Sequence, residues 1–203
     1  ILPSFTFSSV ANCVLRQRAK PVFADVKLDD LNLDPEDVAR RVTKRTRGVI
    51  AVHYAGAASD MGALGRLADD AGFSLIEDAA HAVGASWRGR PLGTIGDAGC
   101  ISFHATKNIT CGEGGAFITN NDALARRAER FREKGTNRSA FMRGEIKKYT
   151  WVSEGSSYVL SDVLAAILNH QWKRRNAIND ARGRLYKIYQ EQNYLPNLQM
   201  IVG

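Results

Sequence analysis

The stretch Gly99-Cys100-Ile101-Ser102-Phe103-His104-Ala105-Thr106-Lys107-Asn108 decides how this chain is read. An apolar run breaks here into a polar turn, the pattern of a buried strand whose end carries a lysine. A lysine so placed can be partly desolvated. Desolvation disfavours the ammonium and frees the amine for attack on a carbonyl. The competing reading is a solvated surface charge. Upstream, Ile76-Glu77-Asp78-Ala79-Ala80-His81 forms a second apolar strand, and it ends in carboxylates. Both motifs fall where open α/β sheets bind ligands, beyond the carboxyl ends of the strands.

The segments around them keep the same rhythm. Short apolar runs recur at 21–26, 48–53, 74–78, 98–104 and 115–119, with helical patterns between them. Asp34 before Pro35 and Glu36 marks one helix start. Ser59 and Asp60 precede a Met61, Leu64, Leu67, Ala68 face that ends near Gly72. This alternation predicts an α/β fold, a mostly parallel sheet covered by helices on both faces. After Thr119 the pattern changes. Residues 121–134 read as a charged helix, and 135–158 as a polar loop without regular structure, a length expected to be functional, intersubunit or disordered. A long helix then starts near Ser161, with Leu160, Val163, Leu164, Ile167, Leu168 and Trp172 at the spacing of one buried face. Ile1-Leu2-Pro3-Ser4 reads as the end of a strand with nothing before it to pair.

Composition narrows the function classes. Hydrophobic residues make up 44% and charged residues 24%, ordinary for a globular protein with one sizeable core. No apolar stretch has the length of a membrane span, so no membrane partner is expected. The net charge of +7 invites a nucleic-acid reading, but the basic residues are scattered or alternate with acids, as in Arg126-Arg127-Ala128-Glu129-Arg130. No basic stripe with interleaved aromatics is present, so no nucleic-acid partner is expected either. Cys13, Cys100 and Cys111 are odd in number and lack metal-ligand spacing, which predicts reduced thiols, no metal and a cytoplasmic location. Gly112-Glu113-Gly114-Gly115 lacks the ending of a nucleotriphosphate loop and precedes a strand, so it reads as a tight turn.

With these motifs in order, the chain resembles the DegT/DnrJ-type nucleotide-sugar aminotransferases, fold-type I enzymes that use pyridoxal phosphate. The resemblance rests on Pro3-Ser4-Phe5-Thr6-Phe7, Val52-His53-Tyr54-Ala55-Gly56, Glu77-Asp78-Ala79-Ala80-His81-Ala82, Ser102 to Asn108, and Gly112-Glu113-Gly114-Gly115. Within that family, Lys134-Gly135-Thr136-Asn137-Arg138-Ser139, Lys148-Tyr149-Thr150-Trp151 and Gly155-Ser156-Ser157-Tyr158 resemble the branch that aminates dTDP-4-keto-6-deoxyglucose at C4. Its product, dTDP-4-amino-4,6-dideoxygalactose, serves bacterial surface polysaccharide. The resemblance implies L-glutamate as amino donor and a homodimer with the active site between subunits.

Carried over residue by residue, the resemblance gives Lys107 the covalent link to the cofactor and the later proton transfer. It gives Asp78 the pyridine nitrogen, Ser102 the cofactor phosphate, and Phe7 a stacking role on the ring. His81 falls beside the ring. His53 and Tyr54 border the substrate, with a satisfied structural histidine as the other reading of His53. Arg138 and Tyr149 belong to the loop expected near the substrate. The implied domain plan is 1–159 as the central part of the cofactor-binding domain, including the intersubunit loop 135–158, and 160–203 as a long helix leading toward a small C-terminal domain. Family members carry a phosphate cup before the segment matching Pro3–Phe7 and a domain after the long helix, so the chain reads as truncated at both ends. Val159 stands where many relatives place an asparagine reaching the partner's cofactor phosphate. Within the fold the rival is a dehydratase branch with histidine in place of the lysine, which Lys107 opposes. A non-catalytic relative with a scaffold or sensing role is the alternative from another class.

Overall fold

The computed structural model describes residues 1–192. In chain order the elements are β1 (Leu2–Pro3), α1 (Ser8–Arg16), β2 (Phe23–Ala24), α2 (Pro35–Arg41), β3 (Gly48–Val52), α3 (Met61–Ala71), β4 (Ser74–Asp78), β5 (Ser86–Trp87) and β6 (Arg90–Pro91). They continue with β7 (Ala98–Ser102), β8 (Gly115–Ile118), α4 (Asp122–Arg132), α5 (Arg138–Met142), α6 (Asp162–Lys173) and α7 (Arg175–Gln192). The central sheet runs β3-β4-β7-β8. β3, β4 and β7 are parallel, with Val52 opposite Asp78 and Asp78 opposite Cys100; β8 returns antiparallel to β7, with Gly115 opposite Ser102. This is the expected α/β architecture with a mostly parallel sheet.

Strand alternation sorts the side chains into two faces. Val49 and Ala51 of β3 and Leu75 of β4 pack with Val38 of α2 and with Met61, Leu64 and Ala68 of α3. Val52, on the opposite face, packs with Leu2 and Val10, and Ile50 and Ala11 join them, so α1 covers that side. The helix ends follow from their residues. Asp60, not Ser59, caps α3 by accepting from Gly62 and Ala63 N–H at 3.1 and 2.9 Å, a cap of about 1 kcal/mol. Gly72 closes that helix at φ +69°.

The run 21–26 yields only the two residues of β2, which pair in parallel with β1. Ile1 also donates to Gly48 O and accepts from Ile50 N–H, so β1 lies against β3. The N-terminal strand therefore finds its partners downstream. α1 escaped the sequence reading, because Ser8-Ser9-Val10 starts a helix without a side-chain cap and with poor helix formers. The 135–158 segment is not a structureless loop. It contains α5, and Val152 N–H to Gly135 O, Ser156 N–H to Phe131 O and Tyr158 N–H to Arg132 O fold it back onto the end of α4. The long helix is two helices joined at Arg174, whose N–H turns back to Gln171 O. Leu160, Leu164, Leu168 and Ile178 pack on Phe103, Ile109 and Cys111, whereas Val163 and Ile167 are exposed. Only part of the expected apolar face is buried. Its continuation toward residue 203 lies outside the described residues.

Candidate active site

A cleft of about 880 Å³ opens at the carboxyl ends of β3, β4 and β7, on the face covered by α1. That volume lies within the range of cofactor and small-ligand pockets, about 300–1,000 Å³. Phe7, Tyr54, Asp78, His81, Ser102 and Lys107 all line it. Residues up to 100 apart in sequence, Phe7 and Lys107, thus meet because each follows a strand or precedes α1.

Asp78 is the last residue of β4 and shares the cleft face with Ile76. Its Oδ1 accepts from Ala80 N–H at 3.0 Å, which fixes the carboxylate while Oδ2 has no hydrogen-bond partner among the described residues. Lys107 sits in the turn between β7 and β8. That turn hangs on the Phe103 carbonyl, which accepts from Cys111 N–H at 3.0 Å and Thr110 Oγ1 at 3.1 Å, and on the wholly buried Ile109. No carboxylate among the described residues pairs with the Lys107 ammonium. Ser102 Oγ accepts from His104 N–H at 3.3 Å and keeps its own proton for a ligand. Phe7, 76% exposed, presents a bare ring to the cleft.

His81 Nδ1 accepts from Ala55 N–H at 3.3 Å, which places the proton of a neutral ring on Nε2. Burial and the nearby Lys107 ammonium push its pKa below the ordinary value, against the pull of Asp78. At neutral pH His81 is therefore an uncharged donor. Tyr54 lies between Phe5 and His81, with ring centroids 4.9 and 6.0 Å away. Cys13 and Cys100 also line the cleft. Burial and the Asp78 charge raise both thiols, so they stay protonated. Nothing in the sequence of α1 signalled that Cys13 would face this cleft.

Of the other expected substrate contacts, His53 stands in the cleft wall while Arg138 and Tyr149 fall elsewhere. His53 is wholly buried; Nε2 bonds Glu77 Oε2 at 2.9 Å and Nδ1 accepts from Ser59 N–H at 3.2 Å, so the satisfied structural histidine is the reading that fits. Arg138 donates to Glu133 at 3.0 Å, and Tyr149 packs on Phe141 at 5.5 Å. Neither lines the cleft of its own chain. The residue the sequence reading passed over is Glu77. Burial would raise its carboxyl pKa, but the His53 donor and the N–H groups of Gly96, Gly93 and Ile95 hold it below the ordinary value.

A strand-end lysine without an ionic partner among the described residues, a half-free carboxylate, a hydroxyl and a bare aromatic ring around one cleft match the needs of a phosphorylated pyridine aldehyde. The profile of the DegT/DnrJ/EryC1/StrS aminotransferase family matches residues 1–200. The chain belongs to this family. Its cofactor is pyridoxal phosphate. The Methanocaldococcus jannaschii protein MJ1066 is 39% identical over 195 residues, which are 95% of this chain and 50% of that protein. The chain thus spans about half the length of this curated relative. Among solved structures, DesI, determined in the presence of its TDP-sugar product, is 35% identical with a TM-score of 0.83, covering 94% of this chain and 46% of DesI. DesV of S. venezuelae, in complex with a ketimine intermediate, is 34% identical with a TM-score of 0.84, covering 94% of this chain and 49% of DesV. No described helix is long and apolar enough to cross a membrane.

Proposed function

We propose that this family member takes part in pyridoxal-phosphate-dependent transamination of a nucleotide-linked keto sugar. The specific reading is conversion of dTDP-4-keto-6-deoxyglucose to dTDP-4-amino-4,6-dideoxygalactose, with L-glutamate as donor, for bacterial surface polysaccharide. The observation that carries it is the convergence of Lys107, Asp78, Ser102 and Phe7 on one cleft. The TDP-sugar product of the related DesI supports a nucleotide-linked sugar, and the 135–158 motifs support the C4 branch.

Bound pyridoxal phosphate supplies an aldehyde for the amines and a ring that accepts electrons. The chain supplies the rest. Lys107 Nζ would hold the cofactor between turnovers and, once freed, would move a proton from the α-carbon of the amino donor to the cofactor's C4′. The Asp78 carboxylate would keep the ring nitrogen protonated. Ser102 Oγ would donate to the phosphate, and the Phe7 ring would cover a ring face. The uncharged His81 would offer its Nε2–H to the ring edge. Two subunits complete the assembly. Trp151, 74% exposed, and Met142, 67% exposed, leave apolar surface on the 135–158 segment that suits a partner copy, which Arg138 and Tyr149 could then serve. The three free thiols suit the cytoplasm.

Borohydride reduction after incubation with pyridoxal phosphate tests this function. Mass spectrometry should find the reduced cofactor on Lys107, and Lys107→Ala should abolish the label. Labelling spread over surface lysines would sink the assignment.

A further inference from the structure

Glu77 precedes Asp78 on β4, and alternation sends the two carboxylates to opposite faces of the sheet. Asp78 faces the cleft. Glu77 shares the face of Leu75, which packs on α3, and has no exposed surface although the residue stands in the cleft wall. There its Oε2 accepts from His53 Nε2 at 2.9 Å and Gly93 N–H at 2.7 Å, and its Oε1 from Gly96 N–H at 2.7 Å and from Ile95 N–H. His53 extends the network through Ser59, whose N–H it accepts and whose Oγ donates to Val52 O at 3.0 Å. His53 also grips the site residue directly: its N–H donates to Asp78 O at 3.0 Å. On the other side, Ala79 N–H donates to Cys100 O at 2.8 Å.

The 93–96 turn that Glu77 holds has no slack of its own. It lies so close to β7 that a Cβ at Gly99 would sit on the Gly93 carbonyl, and Gly93 itself needs φ +90°. One carboxylate therefore joins the end of β3, the end of β4 and the approach to β7. Those are the three strands that carry the cleft, and β7 leads into the Lys107 turn.

We propose that Glu77 is a positioning residue for Asp78: with His53 it fixes the strand ends so that the Asp78 carboxylate meets the cofactor's ring nitrogen at a set depth and angle. The inference rests on the reading of the cleft as a pyridoxal-phosphate site. Strain or loss at Glu77 reaches the cofactor through Asp78, not by contact.

The test is a double-mutant cycle in the complete protein, titrated with pyridoxal phosphate and followed by its visible absorption. The proteins are wild type, Glu77→Gln, Asp78→Asn and the double variant, each also melted without cofactor. Glu77→Gln keeps the side-chain volume but turns one acceptor into a donor facing N–H groups. It should weaken cofactor binding about tenfold, mid-range for residues sharing one network. In the Asp78→Asn background the same change should alter binding less than about twofold, because no carboxylate is left to place. The cofactor-free melting point should fall equally in both backgrounds. A tenfold loss in both backgrounds, or in neither, overturns the proposal. His53→Gln, which leaves the buried carboxylate and its three N–H donors in place, repeats the cycle if Glu77→Gln does not fold; it should show the same coupling at about threefold. Additivity there overturns the proposal too. A wild-type protein that develops no absorption band removes the cofactor reading itself, and this inference with it.

Discussion

Replacing Asp78 by asparagine separates electrostatics from fold. The amide oxygen can still accept from Ala80 N–H, the 3.0 Å bond that now fixes Oδ1, so the end of β4 should keep its shape. What disappears is the negative charge. Asp78 is half-buried. A carboxylate about 3–4 Å from a ring cation, at an effective dielectric of about 20–40, contributes roughly 2–5 kcal/mol. Taking about 3 kcal/mol as the part that grows as electrons enter the ring, turnover should fall about a hundredfold. The assay is steady-state transfer of the glutamate amino group to a nucleotide-linked keto sugar, with thermal melting as the control. Stability should stay within about 0.5 kcal/mol of wild type while kcat drops. Turnover within about threefold of wild type would show that another group tunes the ring, and collapse of the fold would show that Asp78 is structural.

Two further outcomes follow from the geometry. At acid pH the Asp37 carboxyl is held down to about 2 by its Arg41 hydrogen bond first and the Asp25 N–H second, against an ordinary value of 3.8. Its folded pKa lies below the unfolded one, so its stabilisation is complete above pH 3.8 and drains away as pH falls toward about 2. Melting points measured across that window should decline less steeply in Asp37→Asn; an unchanged slope refutes the assignment. Sedimentation over a range of concentrations should show a dimer that Trp151→Asp weakens. A monomer at every concentration in the wild type would remove the interface.

How much of this was legible depends on how far apart the interacting groups lie. Lys107 and Asp78 were readable because each follows the end of an apolar strand, and strand ends in a parallel sheet share one rim; Tyr54 lies at another such end. Phe7, Ser102 and His81 took their roles from the family resemblance. His53 was open to two readings because its partner is 24 residues away, and Glu77 reaches Gly93 across 16. No local pattern encodes such pairs. Parity alone did carry a signal: Glu77 alternates with Leu75, and a carboxylate on a core face must find donors or lose its charge. The 135–158 segment failed for the opposite reason. Its polar composition matched a loop, while its order comes from backbone bonds and from Gly135 and Gly155, where a side chain would overlap the facing backbone. The same logic separates the two kinds of site residue. Lys107 and Asp78 keep polar atoms free toward the cleft, so their loss should register there. Glu77 and His53 are chemically spent on the protein itself, so whatever they contribute to the reaction must pass through the position of Asp78.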